Sequence, residues 1–438
     1  MTAQPTITTS SRKNIVILGG SYGGVSTAHY LLQHVLPKLP GRDEYQVALV
    51  SPSTQALCRP ACPRALISDD MFPQDKLFVD ILTAFTSTSY ASTTMFRFVQ
   101  GTATSVNRVG RTVNIALASD HGVETLAYHA LVIATGASTP SPLLGLNRDD
   151  SETLRQSWAE FRKALPKARS IVIAGGGPAG VETAGELGEH LNGRAGWAET
   201  KLKSPKTPIT LVTAASQILP ALRPGIAQKA EEYLARLGVT VLKGVRVETV
   251  TRPALVGVVV GQEAEAAQKA VITLNGGKTL EADLYIPATG TRPNTDFFDN
   301  DNDENDGILL PDRRVNTNPS TLRVDGAGAR VYAIGDASSF ARPAVHNILS
   351  AVPVLCSNIR RDLLLASGRP ETAAAEEDRL FVEDTRETQL VPIGRSKGVG
   401  AAMGYRLPSF GVWMIKGRDY WLWTTGSLWS GRQWAKES

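Results

Sequence analysis

Apolar residues in this chain gather in short unbroken runs between polar turns, rather than in strict alternation. Asn14–Leu18, Tyr45–Val50, Ala130–Ala134, Ser170–Ala174, Ile209–Val212, Ala282–Ala288 and Arg330–Ala337 are such runs. A continuous run of about five apolar residues predicts a strand buried on both faces, as in a parallel sheet. Strand-like pieces also stand at Phe96–Val99, Thr112–Leu117, Val239–Leu242 and Val256–Val260. Helical spacing of apolar positions runs through Val25–Leu36, stopping at Pro37, and through Gly225–Leu237. Strands that alternate with helices in this way predict an α/β, doubly wound architecture.

Two of the runs end in glycine-rich turns. Gly19-Gly20-Ser21-Tyr22-Gly23-Gly24 follows the first, and Gly175-Gly176-Gly177-Pro178-Ala179-Gly180 follows the fourth. Glycines in such a turn let the chain reverse sharply and bring backbone N–H groups close to a pyrophosphate. That anion rests on the positive end of the helix that follows. Two such turns imply two dinucleotides, and two dinucleotides imply electron transfer between them. Each half also repeats one plan, because Ala134-Thr135-Gly136 trails the first turn at nearly the distance at which Ala288-Thr289-Gly290 trails the second.

Composition narrows the function. The 438 residues are 42% hydrophobic with a net charge of +4, which fits a globular protein of several domains. Lys and Arg form no stripe, so nucleic acid is not expected as a partner. The six histidines lack metal-ligand spacing, and no metal site is expected. Three cysteines, Cys58, Cys62 and Cys356, give no disulfide framework and point to a reducing, cytoplasmic compartment. The polar stretch Met1–Asn14 lacks the apolar core of a secretory signal. No stretch approaches the ~20 apolar residues of a membrane span. The acidic stretch Asp299–Asp306 reads as a solvated loop rather than a calcium loop, and Glu371–Asp378 as a charged linker or helix start.

With these motifs in order, the chain resembles the apoptosis-inducing-factor-like and ferroptosis-suppressor-like NAD(P)H oxidoreductases, in their fungal form. The turn at Gly19–Gly24, Ala134-Thr135-Gly136, Gly175–Gly180 with Val181–Glu186, Ala288–Asn294 and Ile334-Gly335-Asp336 carry the resemblance, as do Val391–Gly398 and Ile415–Asp419. It implies two nested Rossmann-type dinucleotide-binding domains, glutathione-reductase-like, with an aromatic-rich C-terminal segment. Residues 1–140 and 288–370 would form the FAD-binding domain, 141–287 the NAD(P)H-binding domain, and 371–438 a C-terminal cap. Gly19, Gly20, Ser21, Tyr22, Gly23 and Gly24 would bind FAD, with Ser51, Arg59, Arg64, Thr135, Gly136, Gly335 and Asp336. Gly175, Gly177, Pro178, Ala179, Gly180, Glu182 and Thr213 would bind NADH or NADPH, with Thr289 and Gly290 where chain and flavin approach. Glu182 and Arg64 are the expected catalytic residues, as an ion pair beside the flavin N5.

Three departures bear on chemistry. Ser21 replaces the middle glycine of the first turn, and the second strand ends in Ser51 rather than an acid. In the second unit the matching position is Thr213, with Ser216 nearby; an acid there would favour NADH, its absence leaves NADPH open, and no well-placed arginine is evident. Cys58 and Cys62 stand where disulfide reductases keep a redox pair, but their spacing is Cys-x3-Cys instead of Cys-x4-Cys. They are expected to be ordinary thiols beside the flavin; a disulfide reductase would need them to bridge.

Five of the seven tryptophans, Trp413, Trp421, Trp423, Trp429 and Trp434, lie in the last sixty residues among Lys416, Arg418, Arg432 and Lys436. Such a segment suits either a membrane interface or a packed cap. Cytoplasm, a membrane surface and the mitochondrion stay open as locations, and monomer and homodimer as assemblies. The expected activity is hydride transfer from NAD(P)H to FAD and then electron transfer to a quinone-like acceptor. The alternatives are an oxidoreductase acting on an aromatic or polyketide-like metabolite, or a redox-sensing flavoprotein.

Overall fold

The computed structural model describes residues 6–7, 12–90, 94–118, 122–251, 269–299, 307–368 and 377–437. The strand expected at Val256–Val260, the acidic loop beyond Asp299 and most of the linker from Glu371 lie outside them.

The first half runs β1 (Lys13–Leu18), α1 (Tyr22–Tyr30), β2 (Tyr45–Ser51), β3 (Phe96–Asn107), β4 (Thr112–Leu117), β5 (Val123–Ala127) and β6 (Ala130–Ile133). After α2 (Ser151–Ala164) come β7 (Ile171–Ala174), α3 (Pro178–Asn192), β8 (Ile209–Thr213), α4 (Pro224–Ala235), β9 (Val239–Lys243) and β10 (Leu284–Pro287). The chain returns with β11 (Val331–Ala333) and α5 (Val345–Ala366), then forms the hairpin β12 (Gln389–Ile393) and β13 (Lys397–Ala402) and the short helix α6 (Leu422–Trp429).

Two sheets result. The larger has the order Thr6–Ile7, β5, β4, β3, β2, β1, β6, β11. Its β3, β2, β1, β6 and β11 are parallel neighbours, and Ile15, Val16 and Ile17 at its centre are fully buried. That burial on both faces is why the run reads as continuous apolar sequence. The smaller sheet, β9-β8-β7-β10, is wholly parallel. It repeats the plan of the first, as the paired glycine turns foretell.

Two elements differ from expectation. The strand at Phe96–Val99 continues to Asn107, because β3 leaves its parallel partner and pairs antiparallel with β4 through an irregularity between Ala103 and Ser105. The helix expected through Leu36 is α-helical only to Tyr30; Leu31–Val35 widens to a π-turn and Leu36–Lys38, holding Pro37, closes it as a 3₁₀ turn. Here the C-terminal tail straps onto α1. His29 and His34 each place Nε2 on a tail carbonyl, of Trp429 at 2.8 Å and Trp434 at 2.5 Å. Burial holds the His29 ring well below its usual range, to about 4, so it sits there neutral. Trp429 and Trp434 are buried, and the Trp429 ring lies 4.8 Å from that of Tyr22. This part of the aromatic segment is a packed cap.

Candidate active site

The carboxyl ends of the parallel strands in both sheets face one cleft of about 1100 Å³, lined by both glycine turns. Crevices at the carboxyl ends of parallel strands are where open α/β sheets take ligands. The two turns have matching geometry. Gly19 has φ +119°, and a Cβ there would lie 2.1 Å from the Ala134 carbonyl oxygen; Gly175 has φ +125°, and its Cβ would lie 2.0 Å from that of Ala288. Each turn is thus pressed against the Ala-Thr-Gly exit of its own half, and only glycine fits.

Most of the expected contact residues line this cleft: Gly19 to Gly23, Ser51, Arg59, Thr135, Gly136, Gly175, Gly177, Pro178, Ala179, Glu182, Thr213, Thr289, Gly290, Gly335 and Asp336. Three do not. Gly24 and Gly180 lie behind the turns, where a Cβ would meet the Gly19 oxygen at 1.7 Å and the Gly175 oxygen at 1.9 Å. They let helix pack on turn, and are not part of the cleft wall. Arg64 is buried beneath the wall, and its side chain is only 7% exposed.

The expected Arg64–Glu182 pair is also corrected. Arg64 Nε and Nη2 donate to Glu186 Oε2 and Oε1 at 2.9 and 2.8 Å, and Tyr420 Oη donates to Glu186 Oε1 at 2.9 Å. Glu182 instead accepts from Lys416 Nζ at 2.5 Å. Glu182 and Glu186 share a face of α3 one turn apart, so each needs its own cation. Arg64 takes the lower carboxylate, and the π-turn Trp413–Gly417 delivers Lys416 to the upper. Gly185 makes the delivery possible: a Cβ there would sit 2.9 Å from the Gly394 nitrogen, so only glycine lets β12 lie on α3. The Leu390 carbonyl of β12 then accepts from Lys416 Nζ at 3.1 Å.

Glu182 and Lys416 both line the cleft, with Trp421 beside them. Burial raises the Glu182 carboxyl to about 7, against the pull of Lys416. The sequence holds one signal for this constellation, the i, i+4 spacing of Glu182 and Glu186 on one face of the helix. Removing Arg64 would strand Glu186 as a buried charge. Arg64→Met is expected to lose about 3–5 kcal/mol of unfolding free energy in urea titrations.

The remaining groups are held by backbone. Thr135 Oγ1 donates to the Asn294 carbonyl at 2.7 Å, and Asn294 Nδ2 returns a bond to the Thr135 carbonyl at 2.9 Å. The two Ala-Thr-Gly exits are stitched together there. Asp336 sits 3.7 Å from Arg59 Nη1, and burial raises its carboxyl above the usual range. Ser51 Oγ donates to the Ser53 carbonyl at 2.9 Å, while Ser21 leads into α1 without capping it. Cys58 and Cys62 are free and buried, and burial pushes their thiols up to about 11 and about 12. Since the thiolate is the reactive form, neither is activated.

The pattern of the pyridine nucleotide-disulphide oxidoreductases matches residues 13–359. The chain is 61% identical to Oxidoreductase phnG of Penicillium herquei over 432 residues, covering 98% of this chain and 99% of that protein. It is 25% identical to ferroptosis suppressor protein 1 of Homo sapiens over 95% of each chain. Among solved structures it superposes on NDH2 from Plasmodium falciparum in complex with NADH with a TM-score of 0.64. That likeness, one of fold at 16% identity, covers 98% of this chain and 99% of the other. Members of the matched family bind FAD and NAD(P)H. Because the matching pattern runs from β1 into α5 and takes in both sheets, this chain belongs to the pyridine nucleotide-disulphide oxidoreductase family.

Proposed function

We propose that the protein is an FAD-dependent oxidoreductase that takes hydride from NAD(P)H and passes electrons to a quinone-like acceptor. One observation carries the reading: two equivalent glycine turns open on the same cleft. Gly136, Gly177 and Gly290 support the fit, since a Cβ at each would meet nothing within 4 Å. The backbone there leaves room for bound groups. The volume also exceeds the roughly 300–1,000 Å³ of an ordinary small-molecule pocket.

Gly19–Gly23 and the amino end of α1 would hold the FAD pyrophosphate, with Arg59 and Asp336 across the cleft. Gly175–Gly177 and α3 would hold NAD(P)H. FAD, when bound, supplies the two-electron carrier. The chain's own part is positioning and charge. Lys416 brings its ammonium to the wall of the cleft, against Glu182. Glu182 Oε1 takes or gives the proton, at a pKa near operating pH.

The acceptor side rests on the segment that carries Lys416. Phe410, Met414, Ile415 and Trp423 expose 67%, 51%, 37% and 59% of their area around it. An apolar surface next to the redox centre suits a lipid-soluble acceptor and peripheral contact with a bilayer. No helix among the described residues is long and apolar enough to cross one. The 61% identity to a fungal oxidoreductase supports a second reading, a pathway-specific role, in which the acceptor would be an aromatic or polyketide-like metabolite.

Anaerobic stopped-flow mixing of the FAD-loaded protein with NADH or NADPH, then with a short-chain ubiquinone, tests this. Flavin bleaching followed by rapid reoxidation is the expected result. Bleaching without reoxidation by the quinone moves the acceptor to the metabolite class. Failure of both nucleotides to bleach the flavin overturns the reading.

A further inference from the structure

The end of the cleft beyond the second glycine turn holds a cation, Arg246, that makes no ion pair among the described residues. Thr213 closes β8 against that turn, so near that a Cβ on Gly176 would lie 2.5 Å from Thr213 Oγ1. In a unit of this kind the end of the second strand is where the adenosine ribose lies. An acid there accepts from the ribose hydroxyls and repels a 2′-phosphate. Here the group is a threonine, whose Oγ1 accepts only a long bond of 3.4 Å from the Ala215 nitrogen.

The next strand brings in the charge. After β9 the chain turns at Gly244, φ +66°, and zips onto the Thr213 loop. The Gly244 nitrogen donates to the Ala215 carbonyl at 2.9 Å, and the Val245 nitrogen to the Thr213 carbonyl at 3.0 Å. Arg246 follows and lines the cleft with Thr213, Ala214 and Ala215. Its backbone is pinned on both sides by Asn275, whose Oδ1 accepts from the Arg246 nitrogen at 2.8 Å and whose nitrogen donates to the Arg246 carbonyl at 2.9 Å. Among the described residues its guanidinium makes no ion pair. The neighbouring Lys243 is spent on Glu231 at 3.0 Å.

A fixed backbone, an uncommitted guanidinium and a missing carboxylate together suit a phosphate monoester. The planar fork of arginine binds two phosphate oxygens at once, which a ribose hydroxyl cannot exploit. We propose that Arg246 is the specificity-determining residue for the 2′-phosphate, which makes NADPH the preferred hydride donor. This rests on the oxidoreductase reading, to which it adds the choice of nucleotide.

Equilibrium binding of 2′,5′-ADP and ADP to the FAD-loaded protein by calorimetry tests it without turnover. The 2′-phosphate is expected to tighten binding about tenfold or more, the worth of a charge-assisted pair, and the gain shrinks as salt is raised. Arg246→Ala should erase the ratio, and Arg246→Lys should keep part of it through the point charge. FAD retention checks that each variant is folded. Equal affinity for the two compounds, or a preference that survives in Arg246→Ala, overturns the proposal. In stopped flow, reduction by NADH in preference to NADPH defeats the role of Arg246 alone. If neither nucleotide binds or reduces the flavin, the oxidoreductase reading itself fails.

Discussion

Gly24→Val protein is expected to purify without FAD, while Gly180→Val keeps FAD but is no longer reduced by NAD(P)H. The reason is steric. Any Cβ at Gly24 would fall 1.7 Å from the Gly19 carbonyl oxygen, and at Gly180 1.9 Å from that of Gly175. Backbone cannot yield such distances locally, so the helix must back away from its turn. The N–H groups of the helix start then leave the pyrophosphate by an ångström or more, a displacement that costs on the order of 10²-fold in a positioned reaction. Because the two clashes lie in separate halves, the two losses should separate as well. Flavin absorbance of the purified protein reports the first, and flavin bleaching by NAD(P)H the second. Full FAD occupancy in Gly24→Val would show that the first turn holds no pyrophosphate.

The second large effect concerns the buried pair. Glu182→Gln is expected to slow flavin reduction by about 10²-fold or more, the usual worth of a positioned acid or base. The pH dependence separates chemistry from scaffolding. Burial raises Glu182 to about 7, so the wild-type rate should turn over near neutrality and the Gln variant should not. Lys416→Met removes the charge that pulls this value down and should move the inflection to higher pH.

Stability provides an independent sign. A carboxyl raised from the ordinary 4.5 to about 7 favours the folded state most at acid pH. That contribution is lost as pH rises through about 7. Relative to wild type, Glu182→Gln should therefore gain stability between pH 5 and pH 8 in denaturant titrations. A reduction rate within about twofold of wild type in both variants would remove the pair from the mechanism.

Glu186, which Tyr420 and Arg64 satisfy, is poised one turn below. It shows why the charge pairing was hidden in the primary structure. Glu182 and Glu186 are equivalent by spacing, and Arg64 could serve either. The choice falls to Lys416, which is 234 residues from Glu182 in sequence and arrives on a separate hairpin and π-turn. Arg246 was hidden for a similar reason. Nothing local marks it, and its place beside Thr213 follows from the parallel pairing of β8 with β9 and the bonds of the next turn. Gly24 and Gly180 were legible as members of a motif, but their role is packing against carbonyl oxygens, visible only with both ends of the turn in place.

The sequence by itself determined the buried parallel strands at the centres of both sheets, the glycine turns, the duplicated plan and the dinucleotide class of cofactor. Each depends on physics within a few residues: a run buried on both faces must be apolar, and a chain with φ above 100° must be glycine. Tertiary structure alone decided which cation neutralises which carboxylate, which arginine lines the cleft beside Thr213, and which tryptophans become core. Those outcomes depend on burial and on contacts between segments hundreds of residues apart. There the energy of desolvating a charge, rather than any local preference, selects the partner.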